Sequence, residues 1–214
     1  MIRVFLADDH PLMLAGVGAA LAADGRFEIV GTSGDGLRIP DLVERLCPNV
    51  LVLDVMMPGL NGIEVCRKVM RCSPATRVLM LSMHSNEAYV LEALRAGALG
   101  YALKDTAADE LARAVHTVAS GRRYLSSPFS DHAVEAYATR LTQLTDPYDT
   151  LTERERGVLQ LAAEGHANAE IGKRLFISPR TVEIHKSNML RKLNITPGEI
   201  VRYALRRGLI TLEG

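Results

Sequence analysis

The sequence has few cysteines, no long apolar run and no net charge. Its three cysteines, Cys47, Cys66 and Cys72, are odd in number and lack metal-ligand spacing, which argues against a disulfide framework or a zinc site. No apolar run approaches the roughly 20 residues that cross a bilayer. The first apolar stretch meets Asp8 after only a few residues, unlike a secretory signal. We therefore expect a cytoplasmic protein with reduced thiols and no membrane partner.

The absence of net charge hides a difference between the two parts of the chain. Residues 150–214 carry 11 Lys+Arg against 7 Asp+Glu, which leaves 14 against 18 for residues 1–149. The second part is therefore basic by four charges and the first acidic by four. This indicates that only the second part meets a polyanion, although scatter around neutrality also produces differences of this size.

Apolar runs and helical patterns alternate five times over residues 1 to about 120. The predicted strands lie near 3–7, 27–31, 50–53, 77–81 and 99–102, and the predicted helices near 11–23, 35–46, 61–72, 86–96 and 107–119. Such alternation predicts an α/β fold with a five-stranded, doubly wound parallel sheet. Pro40 falls inside the second helix, which begins either near residue 35 or only at Pro40, with proline in its first turn.

A different pattern follows Gly121, so we predict a first domain over residues 1–121. Residues 122–149 have the character of a linker with one short helical pattern, formed by Val134, Tyr137, Ala138 and Leu141. From residue 150 to 214 four short helices follow one another. Thr152 begins the first with a capping box, and Ser178 caps a longer third helix. This order predicts a small all-α, four-helix domain with a helix-turn-helix.

Polar side chains follow four of the predicted strands at the points where these strands end. They are Asp8 and Asp9, Asp54, Ser82, and Lys104. The crevice of a doubly wound sheet lies at the carboxyl ends of its strands, so we expect all five to converge. Clustered carboxylates repel one another unless a cation neutralises them, and oxygen ligands suit Mg²⁺. One such residue alone is better explained as a helix cap or a local ion pair, but the set predicts a metal and phosphoryl-transfer site.

These strand ends carry longer motifs as well. They are Ala7-Asp8-Asp9-His10, Leu53-Asp54-Val55-Met56-Met57-Pro58-Gly59, Ser82, Gly97-Ala98-Leu99-Gly100-Tyr101 and Lys104. With them, residues 1 to about 120 resemble the flavodoxin-like receiver domains of two-component response regulators. The resemblance implies that Asp54 accepts a phosphoryl group from a sensor histidine kinase, while Lys104 supplies positive charge.

The resemblance also implies a metal site and a switch. Mg²⁺ would be held by Asp9, Asp54 and the backbone carbonyl of Met56, with Asp8 acting through water. Ser82 and Tyr101 match the family's switch pair, which agrees with the negative charge that phosphorylation adds. Two positions depart from many relatives, which have aspartate in place of Asn49 and proline in place of Asp105.

The third helix of the second domain divides into two faces. Val182, Met189 and Leu193 recur at helical spacing and should face the core, with His185 packed between them. The residues expected to contact DNA are Arg180, Thr181, Glu183, Ile184, Lys186, Ser187, Asn188, Arg191 and Lys192. Arginine can read guanine, asparagine adenine, and an aliphatic side chain the thymine methyl group. A solvated amphipathic helix would explain the basic face equally well.

Three motifs favour the DNA-binding interpretation. They are Leu151-Thr152-Glu153-Arg154-Glu155, Glu170-Ile171-Gly172 and Ser178-Pro179-Arg180-Thr181-Val182. With them, residues 151–195 resemble a LuxR-type helix-turn-helix, and the whole chain is similar to NarL/FixJ-type response regulators. The resemblance implies double-stranded promoter DNA as a partner and a homodimer on that DNA. Glu183 and Ser187 stand where some relatives have lysine, so a base preference is not implied.

We therefore expect a phosphorylation-controlled transcription regulator and not an enzyme. A phosphatase with an aspartate nucleophile would need a carboxylate two residues after Asp54, where Met56 stands. An RNA-reading module usually needs stacking aromatic residues, and residues 151–214 contain only Phe176 and Tyr203. Control of the receiver without phosphate remains an open alternative.

Overall fold

A parallel sheet lies at the centre of the first part of the chain. The structure is a computed structural model that describes residues 1–83, 85, 87–129 and 147–210, and the chain divides into two units, Met1–Arg140 and Leu141–Gly214. The strands are β1 Ile2–Ala7, β2 Phe27–Ser33, β3 Val50–Asp54, β4 Arg77–Ser82, β5 Gly100–Leu103 and β6 Tyr124–Leu125. They are all parallel, in the order β2-β1-β3-β4-β5-β6. The predicted doubly wound sheet is confirmed.

Helices connect the strands at the predicted places. They are α1 Pro11–Ala23, α2 Ile39–Leu46, α3 Gly62–Cys72, α4 Glu87–Arg95 and α5 Ala108–Ala119. Helix α2 begins at Ile39 with Pro40 in its first turn, where the missing N–H costs no hydrogen bond. The sequence leaves two starting points open for α2, and the structure has the later one.

The inner strands hold the site in place because they are buried on both faces. Every residue of β3 is buried, and so is every residue of β4 after Arg77. On one face of the sheet, Val50, Val52, Leu79 and Leu81 pack with side chains of α1 and α5 in one core cluster. Full burial of one such aliphatic side chain contributes about 1.5–3 kcal/mol to the stability of the fold. The strand ends are therefore held in fixed positions.

The sheet has one strand more than the five that the sequence predicts. Strand β6 pairs with β5, with the Tyr124 N–H donating to the Leu99 carbonyl at 3.2 Å. A two-residue strand is too short to show a period, so the sequence pattern places these residues in the linker. The helical pattern predicted from Val134 to Leu141 lies outside the described residues.

The described part of the second unit is helical. It contains α6 Glu153–Ala163, α7 Asn168–Leu175, α8 Pro179–Leu193 and α9 Ile200–Arg207, with 3-10 turns at Pro147–Thr150 and Pro197–Glu199. Val182, Met189 and Leu193 of α8 are buried, as predicted. Within the described ranges, no helix combines the length and apolar character needed to span a membrane.

The start of α6 and the end of α8 are joined through Glu155. Its carboxylate accepts hydrogen bonds from the Thr152 N–H at 2.7 Å and from Lys192 Nζ at 2.7 Å. Burial raises the pKa of Glu155, but these hydrogen bonds outweigh that effect, so the net shift lowers its pKa. The capping box predicted at Thr152 is therefore present. Its Glu155 also anchors α8, the helix that carries the DNA-binding candidates, through Lys192.

The lowered pKa of Glu155 predicts how the stability of the second unit depends on pH. A carboxyl group whose pKa falls on folding stabilises the fold above its unfolded pKa, and this stabilisation is lost as pH falls through the folded pKa. Glu155→Gln should therefore lower the unfolding free energy by about 1–3 kcal/mol at pH 7. The difference from the wild type should shrink below pH 4.5, the ordinary value for this group.

Hydrogen exchange of the full-length chain, followed on peptides that cover α6, measures this difference. Glu153→Gln is the control, because Glu153 is an exposed acidic residue of the same first turn. A Glu155→Gln difference that stays constant from pH 7 to pH 4 would contradict the assignment.

Candidate functional site

The carboxyl ends of β1, β3, β4 and β5 meet at one edge of the sheet. Asp8 follows β1, Asp54 ends β3, Ser82 ends β4 and Lys104 follows β5. Because these strands are parallel neighbours, their end residues lie side by side. Asp8 and Asp54 are each only 3% exposed and Ser82 is fully buried. The structure thus brings together the polar residues that the sequence placed at the strand ends.

Lys104 links the two buried carboxylates. Its Nζ lies 2.7 Å from Asp8 Oδ2 and 2.9 Å from Asp54 Oδ2. Burial lowers the pKa of Lys104, but the hydrogen bonds to the two carboxylates outweigh this, and the net shift raises it. The lysine therefore stays charged in the site.

Asp54 remains electrostatically unsatisfied in spite of this partner. Burial raises the pKa of Asp54 to about 6; Lys104 opposes the shift and the charge of Asp8 adds to it. One ammonium group cannot neutralise two buried carboxylates. The site therefore favours a further positive charge near Asp54.

Asp9 and His10 form the exposed side of this cluster. His10 Nδ1 lies 2.8 Å from Asp9 Oδ1 and 3.1 Å from Asp8 Oδ1. The Asp9 carboxylate and the hydrogen bond to Asp8 raise the pKa of His10. Possible ligand atoms of Asp8, Asp9, His10 and Asp54 lie within 4.8 Å of one another. The sequence reasoning named the three aspartates and gave His10 no role, although its place directly after Asp8-Asp9 was a signal.

The loop after β3 is held tightly around Asp54. The Met56 N–H donates to Asp54 Oδ1 at 3.2 Å, and the Gly62 N–H donates to the Val55 carbonyl at 2.9 Å. A Cβ atom at Gly62 would stand 1.9 Å from the Asp54 carbonyl oxygen, so only glycine permits this close approach. The loop turns back over the strand end, and this fixes the orientation of the Asp54 carboxyl group.

Ser82 connects the acidic cluster to a buried ring. Tyr101 on β5 is fully buried, and its hydroxyl shares a hydrogen bond with the Ser82 side chain. Burial raises the pKa of Tyr101, while the charge of Asp54 adds to the shift. Tyr101 is therefore close enough to the acidic cluster to respond to its charge.

The DNA-binding candidates lie along α8 in the second unit. Arg180, Glu183, Ile184, Ser187 and Arg191 are exposed, while Thr181, Lys186, Asn188 and Lys192 are partly buried. Ile184 is an aliphatic side chain that is 51% exposed on an otherwise polar face. Such an exposed face, opposite the buried one, is the geometry of a helix that can enter a groove.

Two of these candidates take part in the packing of the domain. The Thr181 N–H donates to Ser178 Oγ at 3.0 Å, which caps α8. Lys192 Nζ donates to the carbonyl of Thr150 at 3.1 Å in addition to its ion pair with Glu155. Their contact with DNA stays a prediction, and each also holds α8 in position.

Comparisons with known proteins agree with this geometry. The family model of response regulator receiver domains matches residues 4–116, and that of the luxR family of bacterial regulatory proteins matches residues 149–201. The transcriptional regulatory protein MctR of Rhizobium johnstonii is 38% identical over 100% of this chain and 97% of its own length. The oxygen regulatory protein NreC of Staphylococcus carnosus is 34% identical over 98% of this chain and 99% of its own.

Solved structures show the same similarity. The receiver domain of NarL from Mycobacterium tuberculosis is 40% identical, with a TM-score of 0.55 over 56% of this chain and 98% of its own. RcsB of Salmonella enterica serovar Typhimurium, bound to promoter P1flhDC with the phosphomimetic BeF3-, is 26% identical, with a TM-score of 0.59 over 97% of this chain and 98% of its own. The chain belongs to the response regulators, and it is a DNA-binding transcription regulator with a receiver domain and a LuxR-type domain.

Proposed function

We propose that Asp54 accepts a phosphoryl group from a sensor histidine kinase and that this modification controls DNA binding by the second unit. The observation that carries the proposal is the position of Asp54, buried at a strand end beside Lys104. A carboxylate that is oriented by the Met56 N–H presents Oδ2 toward the lysine. The ammonium group there stabilises the charge that develops on a transferring phosphoryl group.

The residues present fit Mg²⁺, which would neutralise charge on the phosphoryl oxygens. The fit rests on carboxylate donors in close proximity and on the burial of Asp54, which raises its pKa to about 6, so that a cation there would further favour its charged form. We assign Asp9, Asp54 and the backbone carbonyl of Met56 as direct ligands, with Asp8 acting through water. Carboxylates with retained waters are the usual environment of this ion.

Ser82 and Tyr101 are the proposed switch. A phosphoryl group on Asp54 adds close to two negative charges, and its oxygens compete for the Ser82 hydroxyl that now bonds Tyr101. The switch thus begins with the exchange of one hydrogen bond. The phosphorylation site and the DNA-binding site are distinct, and the Ser82–Tyr101 pair that would couple them has two arrangements. Together these features meet the requirement for allostery.

The proposed partner of the second unit is double-stranded promoter DNA, and RcsB on promoter P1flhDC supports this choice. Helix α8 would enter the major groove, with the N-terminal residues Arg180 and Ile184 at base edges. Lys186 and Lys192 would contact phosphates. A regulator of chromosomal promoters works in the cytoplasm, which we propose as its location.

We also propose a homodimer on DNA, which the exposure pattern of α9 supports. Ala204 is buried in the core, whereas Val201 on the same helix is 43% exposed. The exposed part of this helix offers an apolar surface to a second copy across a two-fold axis. We further propose residues 1–121 as the receiver, 122–149 as the linker and 150–214 as the DNA-binding domain, with the first residues of the linker completing the receiver's sheet as β6.

The metal assignment predicts the Mg²⁺ dependence of phosphorylation. Asp9→Ala should raise the Mg²⁺ concentration for half-maximal labelling by at least about tenfold, because a direct ligand is lost. Acetyl phosphate serves as the phosphodonor, and intact mass measures the label on the full-length chain. Asp105→Ala is the control, since Asp105 is an exposed carboxylate next to Lys104. Equal Mg²⁺ dependence of the Asp9 variant and the wild type would refute the assignment.

The groove assignment predicts two kinds of effect on DNA binding. Lys186→Ala should weaken binding to all duplexes about equally and reduce the salt slope by about one, because a phosphate contact is lost. Ile184→Ala should instead change the preferred sequence. Duplexes selected by the wild-type chain from a random library, titrated at several salt concentrations, measure both effects.

Arg77→Ala is the charge-matched control for Lys186→Ala, since Arg77 is exposed at the start of β4 in the first unit. Lys192→Ala should combine weaker binding with a loss of stability, because it leaves Glu155 without its ion pair. An unchanged selected sequence for the Ile184 variant would argue against groove entry by α8.

A further inference from the structure

We propose that residues 124–129, called here the edge segment, are a positioning element that holds the switch ring of Tyr101 and transmits its position toward the DNA-binding unit. The proposal rests on the function assigned above to Asp54, Ser82 and Tyr101. It assigns a role in the switch to Ser126 and Phe129, which the sequence reasoning placed in a linker without site chemistry.

The edge segment is anchored in the receiver through Tyr124, Ser126 and Phe129. The Tyr124 hydroxyl donates to Glu110 Oε1 of α5 at 2.9 Å. Ser126 and Phe129 are only 4% and 8% exposed. A Cβ at Gly100 would stand 2.7 Å from side-chain carbons of Leu79 and Val118 and 3.3 Å from the Tyr124 carbonyl oxygen, so glycine permits the close packing at this end of β5. These contacts distinguish the segment from a solvated connection.

Two hydrogen bonds tie Ser126 to the backbone of β5, one at Tyr101 itself and one at Leu103. The Ser126 N–H donates to the Tyr101 carbonyl at 3.0 Å, and its Oγ accepts from the Leu103 N–H at 3.2 Å. Lys104 follows directly in sequence, and its N–H donates to the Ser82 carbonyl at 2.8 Å. The edge segment therefore holds the C-terminal end of β5 on the side opposite to β4.

Phe129 contacts the switch ring itself. The rings of Phe129 and Tyr101 are 5.5 Å apart at an interplanar angle of 86°, an edge-to-face pair. Among the side chains that contact the Tyr101 ring are Ser82 and Phe129, the second of which belongs to the edge segment. A phosphoryl group that withdraws the Ser82 hydroxyl changes the first contact, and the second passes the change to Phe129.

The proposed effect on the second unit depends on the position of Phe129 in the chain. Residues 130–146 continue from Phe129 toward the DNA-binding unit. A shift of the Tyr101 ring therefore acts on the residue from which the connecting chain departs. The energy of an edge-to-face pair corresponds to roughly a 2- to 10-fold change in an equilibrium, which overlaps the lower end of allosteric couplings of about 5- to 150-fold.

The test compares DNA affinity of the full-length chain with and without acetyl phosphate and Mg²⁺, on a duplex selected by the wild type. Intact mass measures the label in the same samples. The Phe129→Ala chain should be labelled to the wild-type extent. The ratio of its DNA affinities with and without acetyl phosphate should be closer to one than the wild-type ratio, by a factor of at least about two. Phe129→Tyr, which keeps the ring, should retain the wild-type ratio.

Phe27→Ala is the control for loss of a buried ring, since Phe27 is 4% exposed on β2 at the other edge of the sheet. It should lower stability and leave the ratio unchanged. Phe129→Leu, which keeps most of the volume, decides the matter if Phe129→Ala does not fold, and its ratio should also move toward one.

The outcomes separate this inference from the function on which it rests. A wild-type chain that takes up no label contradicts the proposed function and the inference with it. Fully labelled Phe129 variants with the wild-type affinity ratio overturn the inference alone.

Discussion

The receiver depends on one buried arrangement, the Lys104 ammonium group between the carboxylates of Asp8 and Asp54. Two carboxylates that share a single positive partner in a buried place keep a net negative charge. Burial raises the pKa of Asp54 to about 6, and the charge of Asp8 adds to this shift. The site is thereby prepared for a cation, and the lysine is already in place for an incoming phosphoryl group. The sheet stabilises the arrangement because the strand ends that carry it are buried neighbours.

The proposed signal transfer uses the adjacent strands of this site. Asp54, Ser82 and Tyr101 belong to β3, β4 and β5, which are consecutive in the sheet. A change of charge at the end of β3 would therefore act on the hydroxyl at the end of the neighbouring β4, which is hydrogen-bonded to the ring on β5. The edge segment adds β6 as the next neighbour, so the path crosses the sheet strand by strand to the point where the chain leaves the receiver.

The sequence predicted those features that repeat or that end a strand. The strands and helices of the receiver have clear periods, and parallel strands place their last residues together, so the positions of Asp8, Asp54 and Lys104 followed. The buried face of α8 followed from helical spacing in the same way. The motif resemblance then supplied roles that residue patterns alone left open, such as that of Tyr101.

Features that depend on single tertiary contacts could not be predicted. Strand β6 has two residues and no period, and only its pairing with β5 defines it. Lys192 has the spacing of a phosphate contact, but its ion pair with Glu155 joins residues 37 positions apart. The contact of Phe129 with Tyr101 likewise brings together residues that share no motif. In each case the partner is set by the fold and leaves no local signal.

The most direct test of the central claim locates the phosphoryl group on the chain. The full-length protein is treated with acetyl phosphate and Mg²⁺, and the acyl phosphate is reduced with borohydride, which converts a phosphorylated aspartate into homoserine. Peptide sequencing by mass spectrometry then identifies the modified position. The account predicts homoserine at position 54, between Leu53 and Val55, and at neither Asp8 nor Asp9. Homoserine at one of those two positions, or a labelled chain in which residue 54 remains aspartate, would contradict it.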